Sequence, residues 1–287
     1  MSSRSDNAPM PVQPPPDAVD AELSPLMSEP FADAYARAHD GSVAGAAVRG
    51  RLMQRLAASR AAEAVMHTVR RRRAPRQSPL PGVQLQPLYV AAADGAHRRG
   101  EPLRAQLIEL APGARLDTAP LGALGAAGHR EWLVLSGRVQ LDAEELGQRD
   151  YHVRPAGTPP PVLSSAQGAL VFMRECELPA QGEAAHTVRD ADAGWPDYAP
   201  GIRRRVLWTR QGQAALLYHA QPGASVPLHS HGHDEECLMV QGELFLDDLL
   251  LQPGDYQLAP QGSSHRITET DTGVVIYAHG DLDLQFR

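Results

Sequence analysis

Four of the twelve histidines, His229, His231, His233 and His265, fall close together near the C-terminal end. The first three form His-x-His-x-His and run directly into Asp234, Glu235 and Glu236. On a strand, side chains alternate, so His229 and His231 share a face about 7 Å apart along the chain. Two imidazoles on one wall can share a metal ion. Glu235 follows a tight turn at Gly232 and can return as a carboxylate ligand, and His265 arrives from a later strand after Pro260-Gln261-Gly262. Three nitrogens and one oxygen suit zinc, iron, nickel, copper or manganese, whereas calcium and magnesium take more oxygen. Four protein ligands leave one or two positions open on a metal that accepts six, as catalysis or ligand sensing requires.

The elements that must position these ligands read as short strands. After Arg76 the sequence becomes alternating apolar runs broken by Pro and Gly, at the spacing of a sandwich or barrel. An internal repeat organises them. Gly137–Asp142 (GRVQLD) matches Gly242–Asp247 (GELFLD), 105 residues further on. Asp150-Tyr151 and Asp255-Tyr256 match at the same offset, as do Pro155-x-Gly157 with Pro260-x-Gly262 and Gly168 with Gly273. Pro112-Gly113 pairs with Pro222-Gly223, which places a short insertion in the first copy. The chain is therefore a tandem duplication of an all-β unit.

With the repeat in view, the residues match a family. Gly223-x5-His229-x-His231-x3-Glu235-x6-Gly242 and Gly254-x5-Pro260-x-Gly262-x2-His265 resemble the two cupin motifs, with Glu269 where the second usually has Asn. The resemblance implies two tandem cupin barrels (double-stranded β-helices, or jelly rolls), with His229, His231, Glu235 and His265 holding one divalent metal ion. The equivalents in the first copy are Leu124, Ala126, Arg130 and Pro160, so that barrel is expected to bind no metal. His129 and Glu131 lie nearby but do not make up such a set.

The spacing Glu235-Glu236-x-Leu238-x-Val240-x-Gly242, the Gly254-Asp255-Tyr256 turn, and the segments His67–Arg70 and Pro81–Val83 resemble the cupin domain of ChrR-type anti-sigma factors. In those relatives a separate zinc-binding helical domain holds the sigma factor. Here no cysteine precedes Cys176, so that domain's ligands are missing and a sigma factor is not an expected partner.

Ahead of the repeats, residues 1–24 read as a disordered tail and 25–76 as a helical extension. One helix is expected from Ser28 to Gly41 and another from Val48 to about Met66. Too short to form a core of their own, these helices are expected to pack on the barrel that follows. The remaining boundaries are 77–178 for the degenerate cupin, 179–193 for a linker and 194–287 for the metal-binding cupin.

Composition removes other classes. All 27 basic residues are arginine, which excludes a Gly-Lys-Ser/Thr phosphate loop, a Schiff-base lysine and a Ser–Lys mechanism. A net charge of -7 points away from nucleic acid and anionic lipid. No run reaches the roughly 18 apolar residues of a membrane span, and no secretory signal is visible. Two cysteines cannot build a disulfide framework, and a reducing, cytoplasmic setting in a bacterium is expected.

Smaller features are expected to be structural: His233 an exposed turn residue, Cys237 a buried inert thiol, Tyr151 and Tyr256 barrel packing. Arg70–Arg73 and Arg203–Arg205 are expected on solvated faces or against carboxylates, and Arg266 is the one basic candidate for a substrate pocket. The reading that follows is a metal-binding sensor or regulatory bicupin with no assigned catalytic residue. It would respond to a small molecule or oxidant, as a monomer or a homodimer. The alternative is a metal-dependent dioxygenase acting on a small oxygenated carbon compound. Purified protein should carry one equivalent of transition metal by elemental analysis, and a His229→Ala, His231→Ala double variant should carry none.

Overall fold

The computed structural model describes residues 43–91, 101–122 and 124–286. The expected tail 1–24 and the expected helix Ser28–Gly41 lie outside them. A single helix, Val43–Val65, opens the described chain. It is rich in Ala and Arg, which lose little freedom in a helix. It ends where Met66 leads into the β-branched Thr68 and Val69. Val48, Leu52 and Leu56 fall at i, i+4 and i+8 along this helix. Among the described residues, no helix is long and apolar enough to cross a membrane.

Residues from His67 onward build two barrels of the same plan, all strands antiparallel. Each has one seven-stranded sheet and one four-stranded sheet, and the second adds a three-stranded sheet at the site. The repeat is visible in the backbone. Asp142 and Asp247 both have φ +53°, and Gly137 and Gly242 both have φ +77°. At Gly137 an added Cβ would lie 2.2 Å from the Gly168 carbonyl, and at Gly242 it would lie 2.0 Å from that of Gly273. Only glycine fits either turn.

The two copies exchange their first strands. His67–Val69 pairs with Tyr256–Leu258 in the second barrel's sheet. His186–Val188, in the stretch read from sequence as a linker, pairs with Tyr151–Val153 in the first barrel's sheet. The strand at the end of the helical extension therefore serves the C-terminal barrel. Both arms carry the sequence His-Thr-Val-Arg and are held alike. Arg70 Nη1 donates to Asp255 at 2.9 Å, and Arg189 Nη1 to Asp150 at 3.1 Å. The Arg71 and Asp190 amides donate to the same two carboxylates at 2.9 and 2.8 Å.

Strand alternation then sets two buried faces. In His129–Gly137, Arg130, Trp132 and Val134 face the first barrel's interior, while Glu131 and Leu133 face the other barrel. Leu133, Phe172, Leu238 and Tyr277 form one apolar cluster spanning both barrels. Inside it lies a charged set. Arg174 donates Nε to Glu236 and Nη1 to Glu131, the latter at 3.2 Å. Tyr151 and Tyr277 donate to Glu131 at 2.9 and 2.8 Å, and Tyr256 donates to Glu236 at 2.7 Å. Nε2 of His129 and of His279 approach Glu131 to 3.4 and 3.3 Å.

The arms differ in one titratable group. His152 Nδ1 lies 2.8 Å from Thr187 Oγ1, and its Nε2 accepts from Arg154 Nε at 3.2 Å. Burial, then the Arg154 charge, depress its pKa to about 4. In the other repeat Gln257 Nε2 donates to Thr68 Oγ1 at 3.0 Å, without a titratable group. A histidine held neutral contributes stability that is complete above its unfolded pKa of about 6.5. That stability is lost as pH falls through the window toward 4. Thermal melts should show His152→Gln flattening the fall in stability between pH 6.5 and 4, with little change at pH 8.

Candidate metal centre

Two strands and one turn assemble the site. His229–Ser230 lies between Ser264–His265 and Gln285–Phe286, and His229 is the direct cross-strand partner of His265. His231 opens the turn that follows. Its amide donates to Ser263 at 3.1 Å, and its carbonyl accepts from Gly262 at 2.8 Å, so the Pro260-x-Gly262 turn braces it. Gly232 and His233 are tied to Asp281, whose Oδ2 accepts the Gly232 amide at 2.5 Å. The chain re-enters the sheet at Glu235–Gly242, where alternation sends Glu235 and Cys237 into the barrel and Glu236 into the interface with the first barrel.

Ligand atoms of His229, His231 and Glu235 all lie within 4.8 Å of one another. The His265 ring centre is 5.1 Å from that of His231 and 5.7 Å from that of His229. Partners on Nδ1 orient two of the rings. His229 Nδ1 faces the Pro227 carbonyl at 3.0 Å and His265 Nδ1 faces Asp247 at 3.3 Å, which leaves Nε2 as the free donor on each. His231 Nε2 is buried with no partner among the described residues, and its Nδ1 is 3.3 Å from Glu235 Oε2. A buried imidazole nitrogen without a partner, among two more imidazoles and a carboxylate, is the donor set a borderline transition metal takes.

The electrostatics favour the ligand form of His229 and Glu235, while the Glu235 carboxylate outweighs burial at His231 and pushes that imidazole's pKa up. Burial, with His231 and His265 beside it, lowers the pKa of His229 and favours the neutral ligand form. Burial alone would raise the Glu235 pKa, but the neighbouring His231, His265 and His229 bring it below the ordinary carboxylate range. Cys237 behaves as expected of an inert thiol, pushed well up by burial and by the Glu235 charge. His233 is a turn residue with 37 % of its side chain exposed, paired through Nδ1 with Asp281.

The fold and the motif have named relatives. Residues 183–283 match the model of the ChrR cupin-like domain. The chain has the two-barrel fold of bicupins, and its second barrel is similar to the ChrR cupin-like domain. Solved structures give the same architecture across both barrels. A candidate dioxygenase of Nostoc punctiforme has TM-score 0.59 at 15 % identity, over 76 % of this chain and 83 % of that one. Oxalate decarboxylase of Lactobacillus farciminis, a formate complex, has TM-score 0.55 at 14 % identity, over 76 % and 87 %. Oxalate decarboxylase of Bacillus subtilis, studied for its Mn(II) centres, has TM-score 0.53 at 14 % identity, over 75 % and 77 %. At such identities these neighbours establish the fold alone. No curated protein matches the chain by sequence.

The bicupin's first barrel fills the corresponding place with an internal ion pair. Arg130, at the position of Glu235, is 1 % exposed, and its Nη2 donates to Glu175 at 2.6 Å. Glu175 stands where the second barrel has Gly280. A Cβ on Gly122 or Gly128 would lie 2.6 or 2.5 Å from Glu175 Oε1, so both glycines make room for the pair. At Gly280 an added Cβ would lie 3.2 Å from the backbone and Cβ of Glu235, which leaves no space for a second carboxylate there.

Other expectations resolve on the same geometry. Tyr151 and Tyr256 pack between the barrels, bonded to Glu131 and Glu236. Arg70, Arg203, Arg204 and Arg205 pair with Asp255, Asp197, Asp283 and Asp190. Arg266 is not a pocket residue: it is partly exposed and pairs with Asp248 at 3.0 Å. Three site residues were not singled out from sequence: Asp247 behind His265, Tyr218 and Thr268. For Asp247 a signal existed in its match to Asp142 across the repeat.

Ligands from separate strands joined through one ion would couple the two sides of the second barrel. A strong chelator should therefore lower the melting temperature of the second barrel. That of the first barrel should fall less, because its cation, Arg130, is part of the chain. Arg130→Met, which removes the buried guanidinium and its charge-assisted bond to Glu175, should destabilise the first barrel by about 3–5 kcal/mol in chemical denaturation, with metal content unchanged.

Proposed function

We propose that the second barrel holds one divalent transition metal through His229, His231, Glu235 and His265 and turns over a small oxygenated carbon compound with dioxygen. The observation that carries this reading is the cavity on which the ligands open. His229 and Glu235 are part of its wall, together with Ile202, Leu244, Ile276 and other apolar side chains. Water-sized molecules can centre over about 60 Å³ of it. That is room for a compound of a few non-hydrogen atoms beside the metal. Apolar walls keep water from a reacting ligand and strengthen every charge interaction inside.

When bound, the metal would supply Lewis acidity and, for iron or manganese, a one-electron partner for dioxygen. The chain's contribution is positional. Pro227 and Asp247 fix two of the imidazoles, the Gly262 turn fixes the third, and the barrel wall holds the substrate's hydrocarbon part. The dioxygenase and decarboxylase relatives agree with this class without deciding the substrate.

A second reading, a sensor or regulatory bicupin, is favoured by the ChrR cupin-like match of residues 183–283. The physical link from metal to the rest of the molecule exists in adjacent residues: Glu235 faces the metal cavity, and Glu236 is bonded across to Arg174 of the first barrel. Oxygen-electrode assays of iron- and manganese-loaded protein, with short 2-oxo acids, 2-hydroxy acids and 1,3-diketones, separate the two. Substrate-dependent oxygen uptake that disappears in the His229→Ala, His231→Ala variant is the expected result. Ligand binding without turnover across the panel would favour the sensor.

A further inference from the structure

Resting on the metal site proposed above, the cavity wall narrows the ligand further. Two hydroxyls of its wall are buried: Thr268 Oγ1 has no hydrogen-bond partner among the described residues, and Tyr218 Oη has the Arg204 guanidinium beside it, which leaves its own O–H free to donate into the cavity. Tyr218 is only 9 % exposed, and its ring stands edge-on to Tyr198, another wall residue, at 5.7 Å. A buried hydroxyl gives up its water on folding and recovers the loss only when something in the cavity bonds to it. Two such groups in one otherwise apolar chamber mark where a polar atom of the ligand belongs.

Charge sets a second limit. A divalent ion with one carboxylate, Glu235, and three neutral imidazoles leaves a single positive charge to be balanced. No arginine is among the described residues lining the cavity. Arg204 sits over the Tyr198 ring at 4.1 Å and beside the Tyr218 hydroxyl, but its charge is paired with Asp283 at 3.1 Å and it donates to the Leu282 carbonyl at 2.6 Å. A ligand with two negative charges would carry one of them uncompensated against Ile202, Val226, Leu244 and Ile276, which is strongly disfavoured in an apolar site.

We infer that the second barrel selects a short, singly charged or neutral oxygenated ligand, whose apolar body lies on the barrel wall and whose non-metal-bound oxygen is held by Tyr218 and Thr268, and that it rejects small dicarboxylates. Both residues are specificity determinants, since neither belongs to the metal's ligand set.

The test uses the full chain loaded with zinc, which binds ligands without redox turnover, and isothermal titration with 2-oxobutyrate as monoanion and oxalate as dianion of similar size. Metal content is measured first. Absence of metal in the wild-type protein would overturn the metal reading itself. With metal bound, 2-oxobutyrate should bind at least tenfold more tightly than oxalate. Tyr218→Phe and Thr268→Val, both nearly shape-conserving, should each weaken 2-oxobutyrate about tenfold while leaving metal content and melting temperature unchanged. Oxalate binding as tightly as 2-oxobutyrate, no 2-oxobutyrate binding to metal-loaded protein, or unaltered affinity in both variants would each overturn the ligand assignment and leave the metal site standing.

Discussion

Arg174 stands between two carboxylates from different barrels, Glu131 and Glu236, and all three side chains are withdrawn from water. Such an arrangement tolerates no partial assembly. Removing one member of a buried charge set costs about 3–5 kcal/mol, because the others remain desolvated and unpaired. Three tyrosine hydroxyls complete the carboxylates' bonds, two from the first and second copies of the same motif and one, Tyr277, where the first copy has Phe172. The geometry of the metal barrel therefore depends on a group supplied by the barrel without a metal.

The duplicated units have diverged around one requirement, a positive charge inside each barrel. In the second barrel an ion can fill the role, among three imidazoles and a carboxylate. In the first, the guanidinium of Arg130 fills it permanently, with Glu175 as its counter-ion. A guanidinium has no open coordination position and cannot be exchanged, so the first barrel holds this charge as part of the chain. The exchanged arms tie the copies together a second time, each copy lending its first strand to the other's sheet through the same arginine–aspartate contact.

The alternation within one strand joins these themes. Glu235 and Glu236 are neighbours in sequence, yet one faces the metal cavity and the other the barrel interface, as successive residues of a strand must. Any ligand that shifts Glu235 acts on a strand whose next side chain is bonded across the interface. The coupling needs no moving lid, only a strand with both faces buried.

Sequence alone determined the duplicated all-β plan, because turns that demand positive φ leave glycine and aspartate at fixed offsets, and the spacing of its histidines singled out His229, His231 and Glu235, which the fold brings within 4.8 Å of one another. It also marked the first barrel as degenerate, since Arg130 in place of Glu235 is legible without coordinates. It did not reveal that the stretch 179–193 carries a strand of the first barrel, nor that His67–Val69 belongs to the last sheet. A three-residue strand carries no periodicity, and its partner is chosen by which edge is free in space. Glu131, Arg174 and Glu236 were likewise invisible as a unit. The residues of a buried ion set are far apart in the chain, and only tertiary packing removes the water that makes their pairing matter. Tyr218 and Thr268 were missed for the same reason: a hydroxyl is ordinary until folding places it in the wall of a cavity.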